Sequence, residues 1–208
     1  MPLICSGIPG QTATAGERRT DFSDSTGCLR ATARYHRRMR RKNSVVFALF
    51  LLFAAFANGE TKTYFSPDDD TQQVVLDFAA SSQKSILIAA YSFTCAPLAD
   101  ILVQKHAAGL DVRLVLDKTE AGGKAEKNQL AKLAAAGIPF EVGTSQKHRA
   151  MHLKVMIVDR KSVLSGSYNF TTTARSENNS FDITTDDPAR AARFAAIWQE
   201  IWDWMAAN

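Results

Sequence analysis

Two short runs are apolar on both of their faces, Ser85-Ile-Leu-Ile-Ala-Ala-Tyr91 and Val112-Arg-Leu-Val-Leu116. A strand of that kind cannot lie at a solvated surface, so helices must cover both sides of the sheet that holds it. The segments between the runs have helical character. Val74, Val75, Leu76 and Phe78 follow a cap expected at Ser66-Pro67-Asp68, and Pro97 opens a helix that runs to about His106 and closes at Gly109. Gly122-Gly123-Lys124 turns the chain into a helix over 125–136, and Gly137-Ile-Pro-Phe140 leads into a short strand. This alternation predicts one α/β domain with a mixed, mostly parallel β-sheet flanked by helices on both faces. The final helix opens at Asp187-Pro188 and carries Phe194, Ile197, Trp198, Ile201, Trp202 and Met205 at helical spacing, which reads as a core face rather than a base-stacking surface.

Chemistry concentrates in His152-Leu-Lys-Val-Met-Ile-Val-Asp159, followed six residues later by Gly166-Ser-Tyr-Asn169. In a strand over 153–158 side chains two apart share a face, so His152 and Lys154 point one way and Leu153, Val155 and Ile157 the other. A nucleophile and a cation then stand side by side. A second strand over 162–165 delivers Gly166, where backbone can approach a ligand, and the hydroxyl of Ser167 and carboxamide of Asn169, which can donate to phosphate oxygens. Together these groups suit phosphoryl transfer. Asp159 falls on the opposite face and is expected to hold structure at the strand end.

The spacing H-x-K-x4-D-x6-G-S-x-N resembles the signature of the phospholipase D superfamily, with similarity extending upstream through 86–93 and 112–117 and covering roughly Tyr64 to the C-terminus. The motif occurs once, as in small bacterial endonucleases of that superfamily that dimerise to bring two copies together. The resemblance implies the phospholipase D/nuclease fold and a metal-independent endonuclease acting on DNA, with RNA as a further nucleic acid substrate. It implies His152 as the phosphohistidine nucleophile, its symmetry copy as acid and base, and a homodimer that shares the site. Lys154, Ser167 and Asn169 would hold the phosphate oxygens, and Glu177, in Ser-Glu-Asn-Asn, would orient the histidine. Cleavage of phospholipid is the alternative activity, and a non-catalytic polyanion-binding module is a third reading. A lipase needs an apolar entry surface, and outside the apolar run near the N-terminus the sequence displays no unassigned one.

That run, Val45–Ala57, has thirteen apolar residues behind Arg40, Arg41 and Lys42 and ends in Ala55-Phe56-Ala57, the pattern of a secretory signal. The expected organisation is a leader over 1–38 with Met39 as the true start, a signal peptide over 39–57 and a catalytic domain over 58–208. The expected product is a periplasmic or secreted protein. Residues 1–57 hold nine of the 25 Lys and Arg and three of the 21 Asp and Glu, so the remainder carries 16 minus 18, or −2. General attraction to nucleic acid cannot come from that balance; Lys147, His148 and Arg149 form only a local basic rim. Past residue 57 there is one cysteine, Cys95, expected to pack as a small hydrophobe, and three histidines, too few for a zinc site. No metal and no cofactor are expected.

Overall fold

The two apolar runs become β2 (Ser85–Ala90) and β3 (Asp111–Asp117), paired in parallel inside a seven-stranded sheet. The computed structural model describes residues 59–208; the expected leader and signal peptide lie outside the described residues. Around this pair the chain adds β1 (Thr61–Ser66), α1 (Thr71–Ala80), α2 (Ala96–Ala107), α3 (Lys118–Ala121), α4 (Lys124–Ala135) and β4 (Phe140–Gly143). It continues through β5 (Lys154–Val158), β6 (Ser162–Gly166), a 3-10 turn (Ala174–Ser176), β7 (Asn179–Thr184) and α5 (Pro188–Ala207).

The strand order is β1-β7-β6-β5-β2-β3-β4. The sheet is mixed, as expected, but it is not mostly parallel: β2–β3 and β3–β4 are the parallel pairs, and the other four pairings are antiparallel. Parallel neighbours need crossover helices, and α2 and α4 supply them. Beyond β4 the connections change. A loop leads into β5, and Asp159-Arg160-Lys161 turns it straight back into β6. Both Asp159 (φ 54) and Arg160 (φ 56) are left-handed there, the conformation that tight hairpins require. No glycine marks this turn, so the sequence did not announce it.

Both faces are covered. Ile86, Ile88, Leu114, Leu116, Met156 and Leu164 pack with α1 and α2 through Val75, Phe78, Leu98 and Leu102. On the other face Leu87, Ala89, Val115, Val155 and Ile157 meet Ala191, Ala195, Trp198, Ile201 and Met205 of α5. Each large side chain so buried contributes roughly 1.5–3 kcal/mol of transfer free energy. Trp198 is fully enclosed and its indole N–H donates to the Ile88 carbonyl at 2.7 Å; with Ile201 and Met205 it forms the core face, whereas Phe194 and Trp202 are half-buried and Ile197, expected in the same stripe, is exposed. Cys95 is buried and unpaired with another sulfur, packing as expected. The cap of α1 is Asp70, whose carboxylate accepts from the Gln73 N–H, rather than the Ser66-Pro67-Asp68 turn.

Candidate active site

Because β5 runs against β2, the start of β5 and the ends of β2 and β3 meet at one edge of the sheet. The Tyr91 N–H donates to the Leu153 carbonyl at 2.8 Å and continues the β2–β5 ladder past its last paired strand residues. Asp117, closing β3, is wholly buried; its carboxylate accepts from the Met151 N–H at 2.7 Å and the Thr119 N–H at 2.8 Å. The backbone on either side of His152 is thereby fixed by two neighbouring strands.

His152 itself is exposed, and its ring lies 4.4 Å from that of Tyr91 at 56°. The Lys154 ammonium sits 4.6 Å from the same ring and donates to the His152 carbonyl at 3.0 Å. Imidazole and ammonium therefore converge on one aromatic side chain, which favours the cation electrostatically. Lys154 is only 6% exposed. Burial pulls its pKa below the ordinary lysine value, and the negative charges of Asp117 and Glu120 oppose that pull. The Glu120 charge also raises the Tyr91 pKa, with burial adding to it, so the phenol stays neutral. On α4, Glu126 is 2% exposed and its carboxylate accepts from the Phe93 N–H and the Ser92 hydroxyl, just after Tyr91; burial raises its pKa.

Strand β6 is antiparallel to β5 with Val155 opposite Ser165, so Ser167 leaves β6 at the same end of the sheet at which His152 leads into β5. Gly166 is required for another reason than ligand approach: a Cβ there would meet the Ser180 carbonyl at 2.3 Å and Phe181 Cα at 2.5 Å, so the neighbouring strand forbids a side chain. The Ser167 hydroxyl donates to Asn179 Oδ1 and to the Ser180 carbonyl, both at 3.3 Å, and accepts from the Ser180 N–H at 3.0 Å. Asn169 is half-buried, and among the described residues its Oδ1 is enclosed without a hydrogen-bond partner.

Asp159 stands at the far end of β5 and accepts from the backbone N–H groups of Gln83, Lys84 and Ser85, the structural role expected of it. Glu177 does not meet His152 among the described residues. It is exposed, accepting from the Thr173 hydroxyl at 3.2 Å and from Asn179 Nδ2 at 3.4 Å. The 3-10 turn over Ala174–Ser176 and the bond from Asn179 to the Ala174 carbonyl fold this carboxylate back onto its own loop. Lys147, His148 and Arg149 are exposed, and the His148 ring rests edge-on against Trp204.

Sequence reasoning missed Tyr91, Asp117, Glu120 and Glu126 as parts of the site. One signal was available: Asp117 is a lone carboxylate ending an apolar strand, where ligands of open α/β sheets collect.

A family model described as the cardiolipin synthase, PLD-like domain matches residues 75–202, which includes every motif residue named above. The chain belongs to the phospholipase D superfamily. Membership assigns phosphodiesterase chemistry. This superfamily member aligns with Nuc, a phospholipase D family member from Salmonella typhimurium, at TM-score 0.66 and 30% identity, covering 69% of this chain and 94% of that one. A phospholipase D from Rickettsia bellii is 29% identical over 142 residues, 68% of this chain and 69% of its own length. A mitochondrial cardiolipin hydrolase from Chlamydomonas reinhardtii is 28% identical over 128 residues, 62% of this chain. The match spans 56% of that hydrolase, just over half its length.

Proposed function

We propose that this protein is an exported endonuclease that hydrolyses DNA and RNA through a phosphohistidine, without a metal. The observation that carries the reading is the convergence of exposed His152 and buried Lys154 on Tyr91, at the sheet edge where Ser167 and Asn169 emerge. The imidazole of His152 attacks phosphorus as the bond to the leaving oxygen breaks, and His152 of the partner subunit supplies the proton that oxygen takes. Water, deprotonated by the same partner histidine, then attacks the phosphohistidine and frees His152. Lys154 and the Ser167 and Asn169 side chains stabilise the charge on the non-bridging oxygens. The alignment with nearly the whole of Nuc supports a polynucleotide substrate.

The dimer finds support in an apolar recess on the α5 side, where Leu153, one residue from His152, meets Val155, Phe194, Ile197 and Trp198. Leu153 and Ile197 are 38% and 44% exposed, large apolar side chains that a second copy would cover while bringing its own histidine near. The same recess favours one other reading. Its apolar lining, with Arg193 beside it, would accept an acyl chain of a phospholipid, and it supplies the entry surface that the sequence did not display.

Cleavage of supercoiled plasmid in excess EDTA, beside turnover of phosphatidylcholine and cardiolipin vesicles, separates the two. Nicking that persists in EDTA and vanishes in His152→Ala is the expected result. Lipid turnover with inert plasmid moves the assignment to phospholipid, and plasmid retention without turnover moves it to a binding module. In dimers mixed from wild-type and His152→Ala chains, activity per wild-type chain should fall; an unchanged value rejects the shared site.

A further inference from the structure

The sheet edge continues past Ser167 into an open groove of about 580 Å³ to which the motif contributes Ser167. Its lining includes Phe65, Ser66 and Asp68 where β1 ends, and Ser167, Asn178 and Ser180 on the other side. Ser167 thus belongs both to the phosphate site and to the groove, and the three hydrogen bonds between Ser167 and Ser180 make that junction rigid. Phe65 lies directly opposite Ser180 in the β1–β7 ladder. With adjacent strands about 4.8 Å apart, the Phe65 backbone stands about 10 Å from that of the motif serine.

Phe65 is 54% exposed, the most exposed large apolar side chain among the described residues. Its neighbour Tyr64 turns inward and stacks on Phe181 at 5.4 Å, so Phe65 is left outside by the alternation of the strand. Its backbone is nonetheless clamped: the Phe65 N–H donates to the Asp69 carboxylate and the Asp69 N–H to the Phe65 carbonyl, both at 2.8 Å. A fixed, uncovered aromatic ring flanked by a carboxamide and hydroxyls matches the planar face and polar edge of a nucleobase. Asp68 repels a phosphate and accepts N–H donors, which suits the uncharged part of a nucleotide.

We infer that this groove is a subsite for the unpaired base of a nucleoside adjoining the scissile phosphate, stacked on Phe65 with Asn178 and Asp68 toward its polar edge. The inference rests on the polynucleotide reading of the same site. Stacking is tolerant of base identity, because every base has a π-face.

The test is hydrolysis of a thymidine dinucleotide and of its two analogues lacking one or the other thymine, by wild-type protein and by Phe65→Ala. Loss of the base that reaches the groove should lower wild-type kcat/KM about 5- to 150-fold. Phe65→Ala should show that loss on the intact dinucleotide and no further loss on the analogue, and Phe65→Trp should restore the wild-type pattern. Equal effects of Phe65→Ala on all three substrates, or no effect on any, overturn the subsite while leaving the nuclease intact. Wild-type protein that nicks plasmid but leaves the dinucleotide intact overturns the subsite alone, and cleavage of neither overturns the polynucleotide reading with it. A fall in phosphatidylcholine turnover alone in Phe65→Ala also overturns it, giving the ring and Asp68 to a cationic head group.

Discussion

The two ends of β5 carry charged side chains from one motif and use their hydrogen-bonding capacity in opposite ways. At the far end, the Asp159 carboxylate receives three successive backbone N–H groups, from Gln83, Lys84 and Ser85, and ties the start of β2 to the β5–β6 turn. At the near end, Lys154 has three donors, and among the described residues one protein acceptor, the His152 carbonyl, while His152 stands exposed. Burial alone would rank the two wrongly, since Lys154 is the more deeply enclosed. Spare valence, rather than burial, distinguishes the end proposed to do the chemistry.

Removing the imidazole tests the reactive end most severely. His152→Ala should lower kcat by at least about a thousandfold, as loss of a nucleophile does, with an unchanged unfolding midpoint because the side chain is exposed. Lys154→Met keeps most of the buried stem and removes the charge; a loss of about 10²–10³ in kcat is expected, the scale of one oxyanion-stabilising donor. Retained turnover in either variant would erase the distinction between the two ends.

Asp159→Ala tests the structural end, and here the readout is stability. Freeing three backbone N–H groups should cost about 1–3 kcal/mol in a urea or thermal titration, while the folded fraction keeps near wild-type kcat. Its pH dependence has a definite sign. Burial works to raise the Asp159 pKa, but the N–H groups of Ser85, Lys84 and Gln83 outweigh it and hold the value below the ordinary 3.8. The stabilisation is therefore present above pH 3.8 and is lost as pH falls through the lowered value, so Asp159→Ala should lose most of the wild-type acid sensitivity in that range.

This difference between the ends was partly legible beforehand. Period-two alternation placed His152 with Lys154 and set Asp159 apart, and the doubly apolar β2 and β3 required helices on both faces. Strand direction was not legible. It depends on the left-handed Asp159-Arg160 turn and on the loop before β5, neither of which carries a glycine or proline signature. Nor could sequence bring Tyr91 and Asp117, 61 and 35 residues before His152, to its side; strand order does that. Glu177 illustrates the reverse: its place after the motif suggested an orienting carboxylate, but the short 3-10 turn directs it to Thr173 and Asn179.

The smallest effect concerns how the near end keeps its charge. Burial favours neutral Lys154, and the carboxylates Asp117 and Glu120 hold the ammonium form against it. Asp117 also anchors Met151 and Thr119, so its removal would disturb the backbone. Glu120→Gln removes the charge and keeps the size. Without that negative charge the Lys154 pKa must fall further, so the alkaline limb of the kcat profile should move to lower pH. At neutral pH the change should be less than about fivefold, because Glu120 is partly exposed and its pairing is screened. An alkaline limb that does not move would mean that Asp117 alone sustains the cation, and that the charge of the reactive end is fixed by the same buried carboxylate that fixes its backbone.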